Sequence, residues 1–186
     1  MPKRLITVKK LRRIIKAITM KRYFVALLLG LSLSNAHAVK QGDALPACVL
    51  DALLDKNQHF DLQALRGKVM YVDFWASWCA PCAKSFPFLN ALQEKYADKG
   101  LQVLAINMDE QPAASLDFLK QHPAQFSLAS DLLGQCAENF AVEAMPSSYI
   151  VDKKGIVRHV HVGFRPDEAE PLHGLLEKLL AEKSVR

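Results

Sequence analysis

The sequence predicts an α/β fold: a mixed central β-sheet flanked by helices, with an extra β-hairpin at its N-terminal end. Three observations carry this. The near-continuous apolar runs "VMYVDFWA" and "LQVLAINMD" are bounded by turn residues, as strands covered on both faces are. Between such runs the apolar residues switch to a helical period. The chain then closes with an antiparallel strand pair and an amphipathic helix, and strands alternating with helices imply parallel neighbours in the sheet.

Residues 39–46 read as a short lead-in. An apolar strand over 47–50, a polar turn over 55–58 and a return over 59–61 make the N-terminal hairpin. Arg66-Gly67-Lys68 then punctuates before the first buried strand. From Ala80 the period is helical through Phe86, Leu89, Leu92 and Tyr96, and Lys99-Gly100 provides a basic last turn and a glycine stop. Pro87 inside this helix predicts a kink. "LQVLAINMD" is the second buried strand, "AASLDFLKQH" a helix, "FSLAS" a short strand and "LLGQCAENF" another helix. "SSYIVD", the turn "KKG" and "IVRHVHV" form the closing hairpin. Residues 167–183 form the last helix, with Leu172, Leu175, Leu176, Leu179 and Leu180 on one face. His159 and His161 share one face of the second hairpin strand, and that face reads as exposed rather than metal-binding.

A chain of 186 residues, half of them apolar, builds one ordinary core. Its formal charge of +5 invites a nucleic-acid or membrane reading, but the charge is concentrated at the front. Residues 1–38 carry nine Lys or Arg and no acid, leaving fifteen bases against nineteen acids in the remainder. No nucleic-acid partner is therefore expected. "MKRYFVALLLGLSLSNAHA" has a basic start, an apolar run over 23–33 and Ala36-His37-Ala38 as an A-x-A cleavage signature, which reads as a signal peptide over 1–38 followed by one domain over 39–186. The apolar run is shorter than the roughly 20 residues a membrane span needs, so membrane attachment enters only through an uncleaved leader. Residues 1–19 precede a second methionine, Met20, and read either as a long basic n-region or as an over-extended start. "LPAC" before Cys48 resembles a lipobox, but Pro46 and the long gap after Leu33 argue against lipidation.

The chemistry gathers at "FWASWCAPC". A strand ending near Ala76 delivers Cys79 to the first turn of a helix, where backbone N–H groups and the helix dipole stabilise a thiolate. Such C-x-x-C settings lower a thiol pKa from about 8.5 toward 7 or below. Cys82, one turn later on the same side, can resolve a mixed disulfide formed at Cys79. Asp73 stands within the apolar strand, where an ionised carboxylate is costly. It reads either as a carboxylate satisfied by local hydrogen bonds or as a buried acid of raised pKa that takes the Cys82 proton. Pro146, in "AMPSSYIVD", ends a loop directly before a strand, and on its own reads as an ordinary trans turn. Cys48 and Cys136 lie outside the motif. They read as core thiols, as a structural bridge, or as partners exchanging with the active site, and Cα separation decides whether a bridge is open to them.

Together these features resemble the thioredoxin fold: "VMYVDFWASWCAPC", a proline five residues after the second cysteine, "MPSSYIVD" some sixty residues on, and the terminal hairpin and helix. The leader, the wording "LRGKVMYVDFWASWCAPC" and the added N-terminal hairpin are similar to its exported TlpA-like branch, which includes the ResA and DsbE proteins. The resemblance implies a periplasmic thiol-disulfide oxidoreductase without a cofactor. Cys79 would be the exposed nucleophile and Cys82 the resolver, paired as the active-site disulfide. Pro146 would be cis, so that the Met145 backbone can receive a substrate chain, and Trp78 would flank the site. Asp73 matches the buried acid of thioredoxin. Ser85 occupies the position where ResA-like relatives commonly carry a glutamate. The dipeptide Ala80-Pro81 resembles that of reducing thioredoxins, implying a reductant of disulfide-bearing envelope proteins, as in cytochrome c maturation or copper-site assembly, recharged by a thiol-transporting membrane donor.

The rival reading is a thioredoxin-like Cu(I) carrier with Cys79, Cys82 and Met145 as soft ligands. A four-cysteine zinc site lacks its second ligand pair, and the motif around a lone peroxidatic cysteine is missing.

Overall fold

The computed structural model describes residues 38–183, so the expected leader lies, up to residue 37, outside the described residues. The described elements are β1 (Val49–Ala52), β2 (His59–Asp61), β3 (Val69–Trp75), α1 (Ala80–Tyr96), β4 (Leu101–Asn107), α2 (Pro112–Gln121), β5 (Ser127–Ser130), α3 (Gln135–Phe140), β6 (Ser147–Val151), β7 (Val157–Val162) and α4 (Ala169–Ala181). They build one seven-stranded sheet in the order β2-β1-β5-β4-β3-β6-β7. The central pairs β3/β4 and β4/β5 are parallel, whereas β3/β6, β6/β7, β1/β2 and β1/β5 are antiparallel. This is the mixed sheet the sequence predicts, with the extra hairpin added at the β5 edge.

β3 is buried at every residue and alternates its side chains between two apolar layers. Tyr71 and Trp75 join Val103, Ala105 and Ile150 under α1, α4 and Phe118 of α2. Met70, Val72 and Phe74 join Leu104, Ile106 and Tyr149 under α3 and the N-terminal segment. α1 runs as one helix through Pro87 and buries Phe86, Leu89, Leu92 and Tyr96, the residues its periodicity selects. Trp75, Phe86 and Phe118 pack with ring centroids 4.9–5.0 Å apart, which fixes α1 against the sheet end that carries the cysteines. Among the described residues no helix is long and apolar enough to cross a membrane.

Three local expectations change. The first strand is Val49–Ala52 rather than 47–50, because Asp51 and Ala52 pair with Ser130 and Ala129, a long-range register that local hydrophobicity does not encode. The helix expected from Leu132 starts at Gln135: Leu132 and Leu133 are exposed in a turn. Gly134 adopts a positive φ there, and the Asp131 carboxylate accepts the Ala137 N–H. The last helix opens as a 3₁₀ turn, Pro166–Glu168, before α4 begins. The "KKG" turn is held by Asp152, whose carboxylate accepts the Lys154 and Ile156 N–H groups and the Arg158 guanidinium, while Gly155 supplies the positive φ of 79°.

Candidate active site

β3 ends at Trp75, and four residues later Cys79 caps α1. Cys79 is bonded to Cys82 across a Cα separation of 5.3 Å, and its Sγ accepts the Cys82 N–H at 3.2 Å. Pro81 in the first turn offers no N–H, so the first-turn amide that reaches Cys79 Sγ is that of Cys82. A thiolate at Cys79 would sit at the positive end of the 17-residue α1, the setting that favours an anion.

Cys79, expected as the exposed member, is only 4% exposed, because its sulfur turns inward to its partner; Cys82 is fully buried. Access lies beside it. A groove of about 320 Å³ is lined by Ser77, Trp78, Cys79, Ala83, Phe118 and His122, and Trp78 stands 71% exposed at its edge. The Met145–Pro146 peptide is cis; Met145 is half-buried, and Pro146 is buried directly before β6. Glu143 is exposed.

Asp73 lies on the β3 face that carries Tyr71 and Trp75, the face covered by the helix bearing Cys82. It is 1% exposed. Its Oδ1 accepts Ser148 Oγ–H at 2.5 Å, and its Oδ2 has no hydrogen-bond partner. Burial pushes its pKa up from 3.8 to about 7, with the Ser148 hydrogen bond pulling the other way. An acid in that range can accept and return a proton near neutrality. Ser85 is buried, and its hydroxyl donates to the Cys82 carbonyl at 2.9 Å, so it stays within its own helix.

One site residue escapes sequence reading. Asp109, two residues beyond β4, is 4% exposed and accepts the Ser77 N–H through both oxygens at 3.0 and 3.1 Å, the Ser77 hydroxyl at 2.9 Å and Asn107 Nδ2–H at 2.8 Å. Its carboxylate ties the end of β4 to the loop that presents Trp78 and Cys79. In sequence it looks like a solvated turn acid, and only the parallel pairing of β3 with β4 brings Ser77 to it.

Cys48 and Cys136 are bonded to each other, Cα to Cα 5.5 Å, in the layer on the opposite face of the sheet from Cys79 and Cys82. His159 and His161 do share a face, but it is not the exposed face expected: His161 is 8% exposed and His159 half-buried, because α4 crosses over them. Among the described residues no group of three or more His, Cys, Asp or Glu side chains is placed to hold a metal ion.

The family model described as Redoxin matches residues 40–176. Thiol-disulfide oxidoreductase ResA of Bacillus cereus is 33% identical over 124 residues, covering 67% of this chain and 70% of the relative. The ResA protein of Bacillus subtilis is 28% identical over 141 residues, covering 73% and 77%. A crystal structure assigned as thiol:disulfide interchange protein DsbE from Chlorobium tepidum superposes with a TM-score of 0.72 at 40% identity, covering 77% of this chain and all of that one.

Proposed function

We propose, for a chain that belongs to the Redoxin family and is a thiol-disulfide oxidoreductase of the ResA and DsbE type, that it works in the periplasm as a reductant of disulfides in envelope proteins. The observation that carries the reading is the Cys79–Cys82 pair at the N-terminus of α1, with the exposed Trp78 next to it in the chain and the Met145–Pro146 loop at the same end of the sheet, where Ser147 pairs with Phe74. Export rests on the basic, apolar, A-x-A leader over 1–38. The direction of electron flow rests on Ala80-Pro81.

In the reduced protein, Cys79 thiolate attacks one sulfur of a substrate disulfide, forming a mixed disulfide and releasing one substrate thiolate, which takes a proton from solvent. Asp73 carboxylate takes the Cys82 proton. The Cys82 thiolate attacks Cys79 Sγ, the mixed disulfide breaks, and the second substrate thiolate leaves. Two electrons have passed to the substrate, and Cys79–Cys82 is the disulfide described here. Trp78, Met145 and Pro146 receive the substrate chain. A membrane thiol-transporting donor returns two electrons, and apocytochrome c or a copper-site assembly protein is the substrate class that fits an envelope reductant.

The test is the reduction potential of Cys79–Cys82, measured by equilibrating the protein with a glutathione or dithiothreitol series, with Cys79→Ser and Cys82→Ser as controls. A two-electron couple near or below about −270 mV supports the reductant; a value near about −120 mV makes the protein a disulfide donor instead. Absence of a cycling couple would return the chain to the Cu(I)-carrier reading.

A further inference from the structure

Asp73 belongs to a row. It stands in register with Ser148 on β6, and Ser148 stands in register with His161 on β7. Directly paired residues project to the same face with Cβ atoms about 4.5–5.5 Å apart, so acid, hydroxyl and imidazole run in one line across the strands. All three are buried, at 1%, 4% and 8% exposure. At one end, Ser148 Oγ–H is already bonded to Asp73 Oδ1. At the other, His161 lines a cavity of about 460 Å³ together with His159, Arg165, Leu172 and Leu175. That cavity reaches the surface, since Arg165 and Val162 on its wall are exposed.

A buried acid that takes a proton in every turnover must also lose it, and the hydrogen bond to Ser148 gives that proton a way out along the row. We propose that Asp73, Ser148 and His161 form a proton relay connecting the buried acid to solvent in the cavity between β7 and α4. The inference rests on the reading of Asp73 as the base for Cys82. Protonated Asp73 passes its proton to Ser148 Oγ while the serine proton moves to one ring nitrogen of His161, and the proton on the other ring nitrogen leaves to water. One proton enters the row and one leaves. The serine keeps its charge, and it resets by rotating its hydroxyl, which serves as donor or acceptor in either direction. Imidazole is the side chain suited to that outer position, because one ring nitrogen can accept a proton while the other releases one.

Other ionisable groups bear on the row. Tyr71 shares the Asp73 face of β3, and β4 presents only Ala105 in register with Asp73. Above lie the bonded Cys79 and Cys82. His159 stacks on His161 with ring centroids 6.4 Å apart, Arg165 borders the cavity, and Asp167 is exposed in the following turn. α4 adds only apolar residues to the cavity wall, its His173 being bonded to the Tyr96 hydroxyl instead.

The test is the pH dependence of disulfide reduction in the wild type, Asp73→Asn, Ser148→Ala, His161→Gln and His161→Gly, the last with and without imidazole in solution. Each Ser148 and His161 variant is expected to turn over roughly tenfold more slowly, less than the 10²-fold or more that loss of a direct general base costs. Imidazole should restore His161→Gly and leave Ser148→Ala slow. His161→Gln keeps a polar side chain of similar size but carries no proton onward, so wild-type turnover in it overturns the relay, as does a His161→Gly that imidazole does not rescue. If Asp73→Asn moves the pH profile while the His161 variants do not, the relay alone fails. If Asp73→Asn leaves the profile unchanged, Asp73 is not the base and the relay falls with it.

Discussion

The two disulfides lie in opposite apolar layers of one sheet and differ in almost everything except burial. Cys79–Cys82 spans three positions; Cys48–Cys136 spans 88. Each of the four cysteines is 6% exposed or less, so accessibility of the sulfur does not separate them. Their surroundings do. Cys79 caps a long helix, accepts a backbone N–H, borders an open groove and shares its layer with a buried acid. Cys48 and Cys136 sit among Leu45, Leu50 and Phe140, joining the N-terminal hairpin segment to the short α3. A cysteine's chemistry is set by the dipoles, acids and openings around it, while its place in the chain sets what its bond does for stability.

The largest effect should separate the pairs by activity. Cys79→Ser should lower disulfide reductase turnover by at least about a thousandfold, as loss of a nucleophile does, and Cys82→Ser should accumulate mixed disulfides visible by mass spectrometry. The Cys48→Ser, Cys136→Ser double variant should keep turnover within about twofold of wild type, since it touches no reacting atom. Loss of activity there would make the second disulfide an exchange partner of the first.

Stability should invert the ranking. In the chain-entropy picture a loop of this length gives the Cys48–Cys136 bond about 4 to 5 kcal/mol, against about 2 kcal/mol for the short Cys79–Cys82 loop. Denaturant unfolding of the two double serine variants measures the difference directly.

Asp73 sharpens the comparison by placing a destabilising group on the active side. Its folded pKa of about 7 lies above its ordinary 3.8, so its neutral form contributes no penalty below about pH 4, and stability is lost as pH rises toward and through 7. Asp73→Asn should therefore gain roughly 4 kcal/mol over wild type at about pH 8 and little at about pH 4, read by urea unfolding at the two values. An equal gain at both would mean the acid is not held neutral by burial.

The smallest expected effect belongs to Asp109. Asp109→Ala leaves Ser77 N–H, its hydroxyl and Asn107 Nδ2 without their shared acceptor. A cost of about 2 kcal/mol and a roughly tenfold loss of turnover through a loosened Cys79 loop are expected. Asp109→Asn, which retains one carbonyl acceptor, should recover part of both.

The sequence by itself determined the α/β class, the order of the elements, the buried faces of α1 and α4, and the Cys79-x-x-Cys82 pair with Asp73 beneath it, because each is a local pattern: a run, a period, a spacing. It also carried the leader that motivates the proposal of export. Tertiary structure alone decided the rest. The Cys48–Cys136 bond, the Asp109 clamp on Ser77 and the row from Asp73 through Ser148 to His161 each join residues from separate strands or helices. His161 looked exposed because strand alternation says which side a residue faces and not what covers that side. Leu132 and Leu133 looked helical because their neighbours were, until Asp131 and Gly134 turned the chain. Local physics chooses elements, but register and crossing decide which side chains meet, and the buried polar contacts around the cysteines lie in those meetings.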